Sequence, residues 1–315
     1  RIRRKTRGSA RTTRRVMEMQ IEGWKYYNHA TIPTTAPHEI PDLRAVENGD
    51  VWKIGGGIPL LARWTVDWDC GYETGWYYVI KDNVFDIDVL KAKRRYEIKK
   101  GCKNFTVRKI HPEDYKTELL QVQIKAFSAY PESYRPRNLT AENMNNAVND
   151  WIRNGADVFG TFRNYESMEK NEKDKFKADR KENDDSLVGY SVLRKKNRVI
   201  YFDVEKTDPD SEKDGVNAAT VYGILNYYKD ELKNGCYICD GEKPINHQTH
   251  FQDYLEKYFG FRKAYCKLKV KYKKGVGAVV KILYPFRKVL IKFDENSMVH
   301  KINGVLKMEE IIREK

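Results

Sequence analysis

Side chains that can accept or donate a proton stand out between residues 187 and 270. Four of them are candidate catalytic residues: Glu205, His247, Tyr254 and Tyr258. A carboxylate or a neutral imidazole can accept a proton near pH 7, and a phenol can donate one. Asp203 is a second choice for the carboxylate, because strict strand alternation places it on the same face as Glu205. The structural alternatives are a solvated acid at a strand end, an exposed loop histidine and packed aromatic rings.

A strand, a polar loop and the start of a helix form a second group of residues. Apolar alternation predicts strands at residues 187–193 and 199–204, joined by a tight polar turn at residues 195–197. Residues 207–214 are rich in turn-forming side chains, and a helical pattern follows Gly215. Free N–H groups at the start of such a helix favour an anion. The candidate cofactor-binding residues are Val204, Lys213, Gly215, Val216, Asn217 and Ala218.

This loop resembles the pyrophosphate loop of the GNAT family of N-acyltransferases, which reads P-x-x-Q/R-x-x-G-x-G/A. The corresponding positions are Pro209, Glu212, Gly215 and Asn217. Glu212 replaces a glutamine or an arginine, and Asn217 replaces a second small residue. The segment EKYFGFRKAYCKL at residues 256–268 is similar to the family's closing helix and strand. The resemblance covers residues 103–270 and implies an acyl-CoA co-substrate.

The resemblance also assigns roles to the candidate catalytic residues. In N-acyl transfer, an amine loses a proton as it attacks a thioester, and the leaving thiolate takes up a proton. Glu205 is the candidate base, acting directly or through water. His247 is a second base or a substrate ligand, and Tyr254 and Tyr258 are candidate acids.

The upstream segment at residues 76–110 has a second resemblance, to Fem-type aminoacyltransferases and related proteins of bacterial surface-glycan synthesis. In those proteins an aromatic strand leads through a basic R-x-x-I-x-K-G-like helix into the first GNAT strand. The corresponding residues are Arg94, Arg95, Ile98, Lys99, Lys100 and Gly101. This resemblance implies aminoacyl-tRNA as an alternative donor, and an amino sugar as the acceptor. The structural alternative is a solvated basic helix at residues 91–100.

The composition excludes several classes of protein. With 40% hydrophobic and 12% aromatic residues among 315, the chain can form hydrophobic cores, which excludes wholesale disorder. No apolar run approaches the ~20 residues of a membrane-spanning helix, and no signal peptide is evident. Five cysteines, an odd number without a dense framework, are typical of a reducing compartment. We therefore expect a cytoplasmic protein, with peripheral attachment at the inner face of the membrane as an alternative.

The net charge of +14 is concentrated at the N-terminus. The first fifteen residues contain eight arginine and lysine residues and no acid, so +6 remains for the rest of the chain. That remainder is an ordinary basic surface. Residues 1–16 are expected to be a disordered arm or not native, because Met17 and Met19 are alternative starts. The arm could also bind polyanions.

Outside the central stretch, the pattern predicts the other elements of an acyltransferase unit. Residues 105–110 and 158–163 read as strands. A helix is expected to begin near Pro112 and to end before Pro131, and a second helix to span residues 141–154. Residues 166–185 are a mixed-charge segment, which favours a hairpin insertion or a mobile loop.

Two cysteines and two histidines need a separate test for a metal site: Cys236, Cys239, His247 and His250. A zinc finger has about 12 residues between its pairs of ligands, but only seven residues separate Cys239 from His247. Cys236 and Cys239 also fall on an expected strand, where residues three apart point to opposite faces. We therefore predict no metal site.

The residues after Tyr272 change in character. Apolar residues and lysines or arginines alternate in residues 276–293, and Pro285 interrupts the helical pattern. Such a segment could lie on an anionic membrane surface. The alternative is an amphipathic element that packs against the N-terminal region.

Together these observations predict an α+β protein with a GNAT-like mixed, mostly antiparallel sheet flanked by helices. The expected regions are a basic arm (1–16), an aromatic-rich N-terminal region (17–102), a GNAT-like domain (103–270) and a basic amphipathic C-terminal segment (271–315). The predicted function is transfer of an acyl group from acyl-CoA to an amine, with an amino sugar of surface polysaccharide as the implied acceptor. The alternatives are tRNA-dependent aminoacyl transfer and a catalytically silent module that binds nucleic acid or membrane.

Overall fold

The computed structural model describes residues 20–130, 132, 135–136, 138–164, 186–245 and 250–314. The chain forms two compact units. The first unit contains residues 1–68 and 267–315, and the second contains residues 69–266. The catalytic and cofactor-binding candidates all belong to the second unit.

The described residues form ten strands. They are β1 (Trp24–Tyr27), β2 (Ala30–Pro33), β3 (Leu61–Val66), β4 (Trp76–Lys81), β5 (Phe105–Ile110), β6 (Asp157–Arg163), β7 (Ser186–Lys196), β8 (Val199–Thr207), β9 (Tyr237–Glu242) and β10 (Arg262–Tyr272). The α-helices are α1 (Arg44–Glu47), α2 (Ala92–Asn104), α3 (Lys116–Ser128), α4 (Ala141–Arg153), α5 (Val216–Tyr227), α6 (Lys229–Lys233), α7 (His250–Phe259), α8 (Val276–Leu283), α9 (Arg287–Leu290) and α10 (Ser297–Arg313).

The sheet of the second unit has the strand order β10-β4-β9-β8-β7-β6-β5. All neighbouring strands in it are antiparallel except β8 and β9, which are parallel. This arrangement confirms the predicted α+β class with a mixed, mostly antiparallel sheet. Because β8 and β9 run in the same direction, the chain must cross over between them, and α5 and α6 make that connection.

Helices cover both faces of this sheet, as the alternation of side chains requires. Leu193 and Phe202 face a core cluster that includes residues of α5 and α7. Val192, the neighbour of Leu193, faces a second cluster, which includes Leu119 of α3 and Val148 of α4. The strand β7 is therefore buried on both sides over residues 187–193, which explains why this stretch contains no charged residue.

The first unit contains a smaller sheet. The strands β1 and β2 form an antiparallel pair, β2 and β3 are parallel, and residues 267–272 of β10 pair with β3. Its core contains Trp24, Val46 and Val51. The triple glycine at residues 55–57 lies in a turn.

Most predicted elements around the central loop are confirmed, with one change. The helical pattern after Gly215 suggested one helix up to Gly235, but α5 ends at Tyr227 and the short α6 follows. The N–H of Tyr228 bonds back to the carbonyl of Ile224, and the chain turns there. The mixed-charge segment at residues 166–185 lies outside the described residues.

Candidate active site

The central feature of the second unit is a gap between the two parallel strands. Their pairing runs only from Val199 and Tyr237 to Tyr201 and Cys239. The strand β8 nevertheless continues to Thr207, and β9 continues to Glu242. Beyond the last pair, β8 stays bonded to β7 and β9 stays bonded to β4. The facing edges of β8 and β9 therefore carry backbone N–H and C=O groups that make no ladder with each other.

A bulge in β8 decides which side chains face the helices at this gap. Leu193 pairs with Phe202 and Val192 pairs with Val204, so Asp203 is an additional residue in β8. An additional residue reverses the alternation of every side chain that follows it. Glu205 therefore lies on the same face as Phe202, whereas Val204 packs with Val192 on the opposite face.

The bulge corrects the sequence-based expectation for Asp203. Strict alternation placed Asp203 and Glu205 on one face, and this prediction is wrong because the bulge lies between them. Asp203 is exposed, and its carboxylate accepts hydrogen bonds from the guanidinium of Arg194, one of them at 2.9 Å. An ion pair with a guanidinium stabilises the ionised carboxylate and makes it a weaker base. Glu205 is therefore the stronger candidate of the two.

The Glu205 carboxyl group is placed where ionisation is unfavourable. Its Oε1 atom is buried and has no hydrogen-bond partner among the described residues. The pKa of Glu205 is raised to about 8, mainly by burial and in part by the negative charge of Asp240, while the charge of Lys206 acts in the opposite direction. A carboxyl group with such a pKa can exchange a proton near neutral pH, which a surface glutamate cannot do.

A second acid, Asp240, was not singled out in the sequence. In the pairing of β9 with β4, Cys239 is opposite Ile80 and Gly241 is opposite Val79, so Asp240 is itself an additional residue at a bulge. Burial raises the pKa of Asp240 to about 7, and a hydrogen bond from Gln252 opposes this rise. Its position directly after a buried strand run, beside Gly241, is the sequence signal that could have indicated it.

Aromatic side chains of α7 line the same side of the sheet. The Phe251 ring lies 5.7 Å from that of Phe202, and 6.2 Å from that of Tyr254. Burial raises the pKa of Tyr254, and the charge of Glu205 raises it further. Tyr254 is thus protonated at neutral pH and stands within electrostatic range of Glu205. The structure brings these two predicted residues together.

Tyr258 has a different set of neighbours. Its ring centroid lies 5.0 Å from that of Tyr254. The guanidinium carbon of Arg94 in α2 lies 3.7 Å from the centroid of the Tyr258 ring, and Arg94 also forms an ion pair with Glu97 at 2.6 Å. Tyr258 therefore supports the Arg94 side chain by a cation–π contact. The predicted His247 lies outside the described residues, as do its neighbours at 246–249.

The loop after β8 forms a 3-10 helix at Pro209–Asp214, and the acids at its two ends, Asp208 and Asp214, have protein partners. Asp208 is buried, accepts a hydrogen bond from the N–H of Asp210, and forms an ion pair with Lys125 at 2.6 Å. Arg163 donates to Asp214 at 2.9 Å and to Ser211 at the same distance. These contacts fix the loop from the side of β6 and α3.

Gly215 sits at the junction between this loop and α5, and it has a packing role. Its φ angle of +90° favours glycine, and a Cβ at this position would lie 3.0 Å from the Cα of Gly101 in α2. A Cβ on Gly101 would lie 2.5 Å from the carbonyl oxygen of Gly215. In addition, Lys100 donates to the carbonyl of Lys213 at 2.6 Å. The helix α2 therefore lies directly against the loop.

The other cofactor-binding candidates occupy varied positions. Val216 and Ala218 are buried in the first turn of α5, Lys213 is exposed, and Val204 is half-buried. Asn217 Oδ1 accepts a hydrogen bond from Thr207 at 2.8 Å. Residues 207–217 contain four acids and one lysine, and two of these acids, Asp208 and Asp214, are paired with Lys125 and Arg163. The exposed acids Asp210 and Glu212 would repel a pyrophosphate at this loop.

The part of the chain that the structure describes contains neither a cluster of metal ligands nor a membrane-spanning helix. No group of three or more His, Cys, Asp and Glu side chains there could hold a metal ion. Cys239 is buried in β9, and Cys236 directly precedes that strand. None of the described helices has the length and the apolar content needed to cross a membrane.

Comparison with solved structures places this fold among known ones. The chain is similar to the crystal structure of FemX, with a TM-score of 0.52, 10% sequence identity, and coverage of 82% of this chain and 85% of that one. A conserved protein of unknown function from Bacteroides thetaiotaomicron has a TM-score of 0.45 and 13% identity, over 78% and 79% of the two chains. The C-terminal domain of a putative lysylphosphatidylglycerol synthetase from Agrobacterium fabrum has a TM-score of 0.46 and 11% identity, over 82% of each chain.

No family model and no curated protein matches the sequence. The similarity to FemX concerns the fold, since one residue in ten is identical. It supports the expectation drawn from the two resemblances at the level of the fold, which is similar to that of FemX.

Proposed function

We propose that the protein is an N-acyltransferase that acylates an amine in the gap between β8 and β9, with Glu205 as the proton acceptor. The observation that carries this proposal is the buried Oε1 of Glu205, which has no partner among the described residues, at the place where the two strands separate. A desolvated carboxyl group is costly to maintain. Because the carboxyl group lies beside an open strand edge, it could accept a proton from an amine bound there.

In the proposed reaction, the amine nitrogen attacks the carbonyl carbon of an activated acyl group. A C–N bond forms, the bond from the carbonyl carbon to the leaving sulfur or oxygen breaks, and the nitrogen loses a proton. The ionised Glu205 accepts that proton, and its pKa of about 8 suits exchange with an ammonium group. Tyr254, which burial keeps protonated, is the candidate donor to the leaving group.

The strand edges at the gap supply a second element of the mechanism. The attacked carbonyl oxygen becomes negative in the transition state and needs hydrogen-bond donors. Backbone N–H groups of β8 and β9 beyond Tyr201 and Cys239 make no ladder across the gap, so they are candidates for this role. Because they are fixed by the ladders to β7 and β4, they need no reorganisation during the reaction.

The acyl donor has two candidates. The GNAT resemblance implies acyl-CoA, with its pyrophosphate at residues 209–218. The exposed acids Asp210 and Glu212 and the packing of Gly101 on Gly215 oppose a pyrophosphate at that place. These two observations favour the second candidate, an aminoacyl-tRNA. The helix α2 carries six lysine and arginine residues and one glutamate, which suits contact with tRNA phosphates.

For the acceptor, we propose an amine of a surface-glycan precursor, such as an amino sugar. This part of the proposal comes from the two family resemblances and from no residue of the site. A screen of acceptor amines with either donor tests it directly.

The donor experiment uses calorimetric titration and a transfer assay on the full chain. Acetyl-CoA, free coenzyme A and a mixture of aminoacyl-tRNAs are the probes. Micromolar binding of acetyl-CoA would support the acyl-CoA enzyme. No binding at millimolar acetyl-CoA, together with transfer of a labelled amino acid from tRNA, would support the aminoacyl donor. If neither donor binds, the protein is not an acyltransferase of this type.

The role of Glu205 is tested with whichever donor is active. We expect Glu205→Gln to lower kcat by about 100-fold or more with donor affinity unchanged. The rate of the unchanged protein should rise tenfold per pH unit up to about pH 8 and then level, because Glu205 must be ionised to accept a proton. Asp203→Asn is the matched control, and normal turnover of Glu205→Gln would contradict the assignment.

A further inference from the structure

The first unit has a helical segment with an apolar face that is exposed to solvent. In most helices the apolar face packs against the core instead. Residues 276–293 are helical throughout, because α8 and α9 are each followed directly by a short 3-10 turn. Five large apolar side chains follow one another at spacings of three and four residues: Val279, Ile282, Phe286, Val289 and Phe293. This is the spacing of one helix face. Each of these side chains is between 53% and 67% exposed.

The opposite side of the same segment accounts for its packing within the unit. Val280 is buried. Arg287 donates to Glu310 of α10 at 2.9 Å, and Asn303 of α10 donates to the carbonyl of Leu290 at 3.2 Å. The helix segment is therefore held on α10 by one face, and the apolar stripe is its other face. This face contacts α10, and packing of the element against the N-terminal region, the sequence-based alternative, stays a prediction.

The charge around the stripe is of one sign. Residues 273–293 contain six lysine and arginine residues and no aspartate or glutamate. Lys281, Lys288 and Lys292 are exposed and alternate with the apolar residues along the segment. An exposed apolar face bordered by lysines is complementary to an anionic lipid bilayer, in which acyl chains lie beneath negatively charged headgroups. A second copy of the same surface fits poorly, because six positive charges would meet six others.

We propose that residues 276–293 form a docking surface for an anionic lipid bilayer, on which the apolar stripe enters the boundary between headgroups and acyl chains. The segment is too short to span a bilayer and lies along the surface. The lysines supply attraction to anionic headgroups, and the stripe supplies burial of apolar area. This proposal stands independently of the donor and of the role of Glu205.

The test is cosedimentation of the full chain with phosphatidylcholine vesicles and with vesicles that contain 30% phosphatidylglycerol. We expect binding to the anionic vesicles and little binding to the neutral ones. Ile282→Ser/Phe286→Ser/Val289→Ser should weaken the binding at least tenfold. The matched control Ile40→Ser/Ile58→Ser removes two apolar side chains that are also exposed in this unit, and it should bind like the unchanged protein.

A charge variant separates the two contributions. Lys281→Gln/Lys288→Gln/Lys292→Gln should lower the affinity for anionic vesicles about 100-fold, since each lysine contributes near the surface. Lys53→Gln/Lys99→Gln/Lys229→Gln has the same change of net charge at lysines outside residues 276–293 and should have a small effect. Equal losses in the two lysine variants would mean that only the total charge matters, and would overturn the proposal.

Hydrogen exchange locates the contact. Anionic vesicles should protect the amides of residues 276–293. Protection confined to residues 1–19, or unchanged binding of the serine variant, would assign the membrane contact to the basic arm and overturn the proposal. A dimer that forms without vesicles and dissociates in the serine variant would also overturn it, because a second copy would then cover the stripe.

Discussion

The acids at the strand gap and the acids of the following loop lie in opposite electrostatic environments. Glu205 and Asp240 face the gap, and burial raises the pKa of each. Asp208 and Asp214, a few residues along the chain, form ion pairs with Lys125 and Arg163. At the gap, burial therefore destabilises the ionised form of both acids. In the loop, both acids form ion pairs that bind the loop to neighbouring elements.

This difference separates structural acids from acids available for chemistry. Ion-paired carboxylates stabilise the fold at neutral pH and have little tendency to take up a proton. Desolvated carboxyl groups lower the stability once they ionise, and they are retained where a reaction uses them. Asp208 and Asp214 therefore hold the loop in place, and Glu205 at the gap is the acid for which we propose a role in the reaction.

The largest expected effect is on the pH dependence of stability. Glu205 has a folded-state pKa of about 8 against an ordinary value of 4.5, so the folded state binds its proton more tightly. The contribution of Glu205 is then complete below the ordinary pKa and is lost as pH rises to about 8. We expect the free energy of unfolding to fall by about 4 kcal/mol across this window.

Urea unfolding from pH 4.5 to pH 8.5 measures this decline. Glu205→Gln should flatten the curve and should be more stable than the unchanged protein at pH 8. A curve with the same slope in both proteins would show that Glu205 titrates normally, and the contrast between gap and loop would disappear.

The next effect concerns the loop. Asp208→Ala removes both the ion pair with Lys125 and the hydrogen bond to the N–H of Asp210. We expect a loss of about 3 kcal/mol in the free energy of unfolding at pH 7. Asp208→Asn keeps an oxygen for the N–H group and should lose less, which a parallel urea titration will show. If Asp208→Ala is neutral, the loop acids are not structural.

The contact between α2 and the loop predicts a smaller effect on the free energy of unfolding. The expected change is opposite in sign to that of an ordinary glycine-to-alanine substitution in a helix. Alanine in place of a helical glycine normally stabilises a helix by about 1 kcal/mol. Gly101→Ala should instead lower the free energy of unfolding by about 2 kcal/mol, because its Cβ would lie 2.5 Å from the carbonyl oxygen of Gly215. Gly277→Ala, in α8, is the control.

At Gly277 a Cβ would make ordinary contacts of 3.4 Å or more with Tyr272, so alanine should stabilise the protein. Thermal unfolding of both variants makes the comparison. A stabilising Gly101→Ala would mean that α2 can move away from the loop, and the packing argument against a pyrophosphate would fail.

The smallest expected effect on stability is at Glu212, an exposed loop acid. Glu212→Arg should change the free energy of unfolding by no more than about 0.5 kcal/mol. It restores the cation of the GNAT loop, so a gain in acetyl-CoA affinity, measured by calorimetry, would show that a pyrophosphate does reach this loop. Unchanged affinity is the result expected for an aminoacyl-tRNA donor.

Local patterns were sufficient for most elements of the second unit. The apolar alternation at residues 187–193 and 199–204 and the glycine that starts α5 depend on neighbours in the sequence. Such signals survive without tertiary information, since side-chain period and backbone conformation are local properties. The class of fold followed from these elements and from the two family resemblances.

The arrangement at the gap could not be derived in the same way. The bulge at Asp203 depends on register with β7, and it reverses the face of Glu205 relative to Asp203. Asp240 comes near Glu205 because β8 and β9 are parallel and separate after Cys239, although 34 residues lie between the two acids in sequence. Register and strand separation are settled by long-range pairing, so alternation alone gave the wrong face for Asp203.

The sequence by itself determined the element types, the glycine at the start of α5 and the identity of Glu205 and Tyr254 as proton-transfer candidates. Only the tertiary structure decided that Gly215 packs on Gly101, that the loop acids are ion-paired and that the apolar stripe of α8 and α9 faces solvent. The physical reason is that propensity and periodicity act over a few residues. Desolvation, ion pairing and close packing depend on groups that the fold brings together from distant parts of the chain.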